Sequence, residues 1–358
     1  MIAFVPFRAL IEKMPHTLSD IIGAHAPLTI VSLWPENLAA IDFRMMKIFP
    51  ALNIVETGLR NGDIRPDATI VETSSGSMAL GLAIVCLRFG LKLHIFGDHA
   101  IELPLKRTLE ELGTEVHLVE ATASEANVQL LRRQALLKFI DRTSATWVRQ
   151  YDNPGNRLSY ARPAEEAIRR LGKIDVLVAT VGSGGSSCGL AHYCRAFFPD
   201  MKLVGIDTFG SVLFGQPAGR RDLRGLGNSI LPRNVLHDAF DEVHWVGANE
   251  AYQAARRLHR ETSLKRGPTS GAAYLVAKWY AEVFPRSKVL AVFPDDSSRY
   301  EHTVYDPAWM NKHGYYGELA ATQPAIVDHP LCASGGWCRF DWSRRSLIDV
   351  IGRSSSTN

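Results

Sequence analysis

No stretch of the chain is long and apolar enough to span a bilayer, and no basic run is long enough to grip nucleic acid or an anionic membrane. A formal charge of +3 over 358 residues names no macromolecular partner. The apolar start, Met1 to Phe7, lacks the basic lead of a secretory signal, so a cytoplasmic protein is expected. Cysteine is scarce. Cys86, Cys188, Cys194, Cys332 and Cys338 are odd in number, and Cys332 and Cys338 have neither a second pair nor histidines at zinc spacing. Reduced thiols and no metal are therefore expected. No repeat of solenoid period is visible.

What is present is ordinary globular material, 46% hydrophobic and 22% charged, in a chain long enough to need two cores. From residue 47 onward, helical and strand-like segments alternate. Helices are expected over 48–59, 78–89, 102–112 and 124–139, with strands over 69–72, 91–96 and 115–119 between them. After Asn153-Pro154-Gly155 the rhythm restarts. Helices are expected over 163–171, through 191–197, over 250–261 and over 270–284; strands are expected over 174–181, 203–206, 242–246 and 288–293. Such βα repetition predicts parallel sheets with right-handed crossovers, in which ligands bind beyond the carboxyl ends of the strands. The segment from residue 318 reads as irregular and its end, 354–358, as disordered.

One glycine loop stands in that position. Val181-Gly182-Ser183-Gly184-Gly185-Ser186-Ser187-Cys188-Gly189 follows a buried strand and opens a helix. Its glycines allow close backbone approach, and the helix start offers unpaired N–H donors and a positive dipole, which suit phosphate. A dinucleotide, the phosphate of a smaller cofactor, or a ligand-free tight turn all fit these residues alone. Asp207 stands where a ribose-binding acid would, yet Ser187 replaces the third glycine of the dinucleotide fingerprint, and a Gly-Lys-Ser/Thr sequence is lacking.

Taken together, five segments resemble the cysteine synthase and cystathionine β-synthase family of fold type II pyridoxal-phosphate enzymes. Lys47-Ile48-Phe49 resembles the start of the family's lysine helix, and Thr69-Ile70-Val71-Glu72-Thr73-Ser74-Ser75-Gly76 the strand and loop that hold the substrate carboxylate. Gln150-Tyr151-Asp152-Asn153-Pro154-Gly155-Asn156 is similar to a stretch between the two domains. Gly182 to Gly189 resembles the phosphate loop, and Gly267-Pro268-Thr269-Ser270-Gly271 the pyridine-nitrogen loop. The agreement runs from about Leu18 to Tyr305.

The resemblance implies an α/β fold of two doubly wound parallel-sheet domains. The expected division is a smaller mobile domain over 42–155, a larger cofactor domain over 1–41 and 156–317, and the tail 318–358. It implies pyridoxal 5′-phosphate linked to Lys47, which would also act as general base, with Ser77, Gly182, Ser183, Gly184, Gly185, Ser186 and Thr269 around the cofactor. Ser74, Ser75, Gly76 and Gln150 would bind the amino-acid substrate. The implied reaction is β-replacement on an O-activated L-serine through an aminoacrylate, with a thiol or an amine as nucleophile, in a homodimer. An amine would give a 2,3-diaminopropionate-type product. A dehydratase-like lyase and a catalytically impaired paralogue are the alternatives, and a nicotinamide oxidoreductase stands outside them.

Two departures bear on substrate. Ser77-Met78-Ala79 stands where the family usually has Asn-Thr-Gly, and Ile48-Phe49 where an Asp-Arg pair commonly follows the lysine. A third feature is Gly219-Arg220-Arg221-Asp222-Leu223-Arg224-Gly225. It reads either as solvated charge or as a place where Arg220, Arg221 or Arg224 meets an anionic leaving group, since guanidinium pairs well with phosphate. Family members that consume O-phosphoserine use an arginine in a comparable loop, so O-phospho-L-serine is preferred here to O-acetyl-L-serine.

Overall fold

The computed structural model describes residues 28–99, 101–120, 128–315 and 321–352. The first 27 residues, the expected start of a helix at Ser124 and the expected disorder of 354–358 lie outside the described residues. The chain divides into two compact units, one containing Arg44–Arg149 and the other Thr29–Phe43 with the chain from Gln150 onward.

The second unit begins with β1 (Leu28–Ser32) and β2 (Leu38–Phe43). Then the first unit supplies α1 (Ile48–Asn61), β3 (Thr69–Thr73), α2 (Ser77–Phe89), β4 (Lys92–Gly97), α3 (Leu103–Glu111), β5 (Thr114–Leu118), α4 (Val128–Ile140) and β6 (Thr146–Trp147). Its four strands form a sheet in the order β5-β4-β3-β6, and every pair is parallel. Helix stops are chemical. Gly62 and Gly90 end α1 and α2 in the left-handed conformation that a side chain with Cβ resists.

The second unit resumes with α5 (Gly155–Leu158), α6 (Ala161–Leu171), β7 (Val176–Thr180), α7 (Gly185–Arg195), β8 (Lys202–Asp207) and β9 (Glu242–Val246). It continues through α8 (Ala248–Thr262), α9 (Pro268–Val283), β10 (Val289–Phe293), α10 (Pro307–Lys312), β11 (Ala325–Ile326), β12 (Trp337–Asp341) and α11 (Leu347–Ile351). Its sheet has the order β1-β2-β10-β7-β8-β9-β12-β11. The central strands β2, β10, β7, β8 and β9 are parallel, and β2, β7, β9 and β10 are buried at every residue, as continuous apolar runs between helical layers should be. Alanines on α8 and α9 (Ala251, Ala255, Ala272, Ala273) pack into this core, and a Cβ on Gly271 would lie 2.3 Å from the Ala251 carbonyl oxygen. Close helix approach requires glycine there.

The sequence expectation of an irregular segment after residue 318 is corrected here. All five residues of β12 pair antiparallel with β9, so the sheet is mixed rather than wholly parallel. Trp342 is fully buried, donates from Nε1 to the Arg345 carbonyl at 2.7 Å, and sits 5.1 Å centre to centre from Phe214. The reason is an edge: β9 has no βα neighbour on that side, and its unpaired backbone groups are satisfied by a returning strand. Among the described residues, no helix is long and apolar enough to cross a membrane.

Candidate active site

The candidate side chains are drawn from both units. In the first, Lys47 occupies the cap position just before α1 and is partly buried. Desolvation lowers its pKa to about 8, against the opposing pull of the Glu72 carboxylate. An amine in that range is neutral for a substantial fraction of molecules near neutral pH, as a nucleophile or proton acceptor must be. Glu72, on β3, is buried and held: its Oε1 accepts from Thr73 N at 2.6 Å, Trp147 Nε1 at 3.1 Å and Thr73 Oγ1 at 3.3 Å.

The loop 74–76 joins β3 to α2. The Ser74 hydroxyl accepts from Gly76 N at 3.3 Å and Ala79 N at 3.2 Å, so it holds the start of α2. Ser75 donates to Asp98 Oδ1 at 2.9 Å and accepts from Arg132 Nη1 at 2.5 Å. Both hydroxyls thus shape the loop, and Ser77 heads α2 directly after it. Arg132 is 5% exposed, lies 3.7 Å from Asp98, and its Nε has no hydrogen-bond partner among the described residues. Sequence reading missed Arg132. Nothing in a helix pattern distinguishes one arginine of 132–133 from the other, although burial separates them here.

In the second unit the glycine loop is enclosed by backbone. Gly184 has φ +80°, and a Cβ there would fall 2.5 Å from the Asn234 carbonyl oxygen. A Cβ on Gly185 would fall 2.0 Å from Asn156 Oδ1, and one on Gly182 3.3 Å from the Gly225 carbonyl oxygen. Asn156, wholly buried, donates from Nδ2 to the Gln150 carbonyl at 2.7 Å and to Ser183 Oγ at 3.2 Å. Asn234 Nδ2 donates to the same Gln150 carbonyl at 3.2 Å and to the Asn153 carbonyl at 3.0 Å. Gln150, Ser183, Gly184 and Gly185 are therefore brought together, with Ser186 buried in the first turn of α7. The roles of Asn156 and Asn234 were not read from sequence; Asn234 lies far along the chain in an irregular stretch with no motif to mark it.

Thr269 also joins this group, its methyl 3.4 Å from where a Cβ on Gly225 would stand. Its hydroxyl donates to Asp295 Oδ1 at 3.4 Å. Asp295, just past β10, also accepts from Tyr300 at 2.9 Å, and burial raises its pKa to about 6. Neighbouring Ser270 is fully buried, and its hydroxyl has no hydrogen-bond partner among the described residues. The three arginines separate. Arg220 is exposed and pairs with Asp222, Arg224 is exposed, and Arg221 is half-buried with Nη1 donating to Ser229 at 2.9 Å. Burial lowers the Arg221 pKa and the Asp207 carboxylate opposes this. Asp207 itself is wholly buried, its own pKa raised to about 7 by burial.

The sequence profile of the family described as "pyridoxal-phosphate dependent enzyme" matches residues 41–295. This chain belongs to that family. As a pyridoxal-phosphate enzyme it is 35% identical over 268 residues to an N-(2-amino-2-carboxyethyl)-L-glutamate synthase of Cupriavidus metallidurans, covering 73% of this chain and 79% of that protein. A protein of the same name from Ralstonia nicotianae is 32% identical over 325 residues, covering 87% and 96%. Among solved structures, O-acetyl serine sulfhydrylase isoform 3 from Entamoeba histolytica superimposes with a TM-score of 0.73 at 20% identity, covering 81% of this chain and 92% of that one. That likeness shows the fold, the fold type II architecture of the cysteine synthase group. The residues present fit the cofactor of this pyridoxal-phosphate enzyme. A glycine loop that admits no Cβ at two positions lies at a helix start, a half-buried lysine has a lowered pKa, and an orphaned buried hydroxyl stands beside Thr269.

Proposed function

We propose that this enzyme joins the amino nitrogen of L-glutamate to the β-carbon of an O-activated L-serine, O-phospho-L-serine in preference to O-acetyl-L-serine. In the reaction the Cβ–O bond breaks, phosphate leaves with the bonding pair, a Cβ–N bond forms and the amine loses a proton. The product is a 2,3-diaminopropionate whose side-chain nitrogen belongs to glutamate. The observation that carries the reading is Lys47, partly buried, with a pKa drawn to about 8 next to Glu72. The names of the two relatives support the choice of product, since a 2-amino-2-carboxyethyl group on nitrogen is the carbon frame of serine without its oxygen.

When bound, the cofactor supplies an electron sink that makes an amino acid's α-proton removable and its β-substituent expellable. Lys47 would provide the amine that holds the cofactor's aldehyde and would serve as the acceptor of the α-proton. The backbone donors of 182–186, with Ser183 and Ser186, would anchor its phosphate, Thr269, backed by Asp295, would serve its ring nitrogen, and Ser77 would help hold the ring. The first-turn donors above Ser74, Ser75 and Gly76 take the substrate carboxylate, with Gln150 as a further contact. Arg221 is the arginine proposed to meet the departing phosphate, because Arg220 and Arg224 are more exposed and water screens them. The Arg44–Arg149 unit is the mobile domain in this reading, restrained when carboxylate binds. We further infer a cytoplasmic homodimer, consistent with five free cysteines.

The test is an absorbance titration of purified protein with O-phosphoserine and with O-acetylserine, followed by mass analysis of products formed with glutamate or with sulfide. A glutamate adduct formed faster from O-phosphoserine is expected. Cysteine from sulfide with no glutamate adduct, or pyruvate alone, would overturn the substrate assignment. A borohydride-reducible cofactor link that survives in Lys47→Ala would overturn the role of Lys47.

A further inference from the structure

Strands β4 and β5 run parallel, with His94 opposite Glu115 and Phe96 opposite His117. Residues two apart on a strand share a face, so His94, Glu115 and His117 project from the same face of the sheet. Nδ1 of His94 lies 3.0 Å from Nε2 of His117 and 3.5 Å from a carboxylate oxygen of Glu115. One ligand atom from each of the three lies within 4.8 Å of the others. We propose that these three side chains form a binding site for a divalent transition-metal cation of the zinc class, independent of the cofactor chemistry.

Two imidazoles and one carboxylate are a donor set that zinc accepts, whereas calcium and magnesium demand mostly oxygen. Glu115 is exposed, so water completes a fourth position from the open side. Two nitrogens at zinc-bond length in a tetrahedral arrangement stand about 3.3 Å apart. The observed 3.0 Å, with the two ring planes within 8° of parallel, is the spacing of one hydrogen bond between the ring nitrogens. A cation would displace that single shared proton, which moves to the donor ring's other nitrogen or to water, after a small rotation of His117, the more exposed ring. Aromatic neighbours limit the rest of the motion. Phe139 packs 4.7 Å from His94, and Phe96 stacks 4.7 Å from His117 at 14°. Rings already held in place lose little entropy on ligation, as in a preorganised site. The bound ion would tie β5, the edge strand of this sheet, to β4.

The experiment uses chelator-stripped holoenzyme titrated with Co(II) and then Zn(II). One ion per chain is expected, with the visible bands of low-coordinate cobalt, displacement by zinc but not by magnesium, and an unfolding midpoint that rises with metal concentration. His94→Ala and His117→Ala should each weaken binding by about tenfold or more. His259→Ala, which removes an exposed histidine of α8, should not. Far-UV circular dichroism of His117→Ala, the less buried change, separates lost ligation from lost folding. Binding that is equally tight in both histidine variants, or no stoichiometric cobalt binding to the parent protein, would overturn the site and leave a hydrogen-bonded histidine pair.

Discussion

The carbonyl oxygen of Lys47 lies 2.8 Å from the position that a Cβ on Gly81 would occupy. Helix α2 therefore approaches the head of α1 as closely as backbone permits, which seats the main chain of Lys47 against the helix that follows the 74–76 loop. A glycine inside a helix is unfavourable by roughly 1 kcal/mol relative to alanine, and here the packing explains it.

Gly81→Ala should reverse the usual gain of a helical alanine. The added methyl meets carbonyl, which cannot rotate aside as a side chain could, so a loss of about 1–3 kcal/mol in unfolding free energy is expected. Urea denaturation measures it. A variant as stable as the parent would mean that α1 and α2 do not pack at this distance.

Arg132→Ala should damage substrate binding as well as stability. Removing the guanidinium takes away the ion-pair contact to buried Asp98 and the donor to the Ser75 hydroxyl, at a cost of roughly 3 kcal/mol. KM for the serine substrate should rise more than kcat falls, because the loop is loosened while Lys47 is untouched. Arg132→Lys should restore only part of this, since one ammonium does not replace the fork. Unchanged KM with unchanged stability would refute the role.

Asp207 sets a pH dependence of stability. Burial raises its pKa from 3.8 to about 7, while Thr208, Ser211 and Arg221 pull the other way. Between those values the folded protein binds more protons than the unfolded chain, so stability is fullest below pH 4 on this account and falls as pH rises through 7. The Asp207 contribution is on the order of 4 kcal/mol. Asp207→Asn should flatten the decline between pH 5 and pH 8 in urea titrations. An equal decline in parent and variant would assign it elsewhere.

Trp342→Ala should cost about 3–5 kcal/mol and weaken the covering of β9 by β12. Thermal unfolding checks the loss, and light scattering checks for association through the uncovered edge. A change below about 1 kcal/mol would mean that the C-terminal strand is dispensable.

The βα rhythm, most strand centres and the glycine loop were legible from residue order, because apolar runs and glycine stops act locally. Element ends shifted by a few residues where backbone decided them: α7 starts at Gly185, inside the loop read from its glycines, and α9 starts at Pro268, whose fixed φ suits a first helical turn. Lys47 was singled out through resemblance, since a lysine carries no mark of burial in its neighbours. Ser74 and Ser75 were read from resemblance as substrate contacts; that their hydroxyls also hold the loop's own frame came only from the structure.

What the sequence determined by itself is therefore the class of fold and the family, both encoded in contiguous residues. Tertiary structure alone decided that Arg132 meets Ser75, that Asn156 and Asn234 strap Gln150 to the glycine loop, that β12 closes the β9 edge, and that His94, Glu115 and His117 share a face. The reason is range. Periodicity and glycine placement report on neighbours a few residues away, whereas these contacts depend on which strands pair and in what register, and that is settled only when the cores assemble.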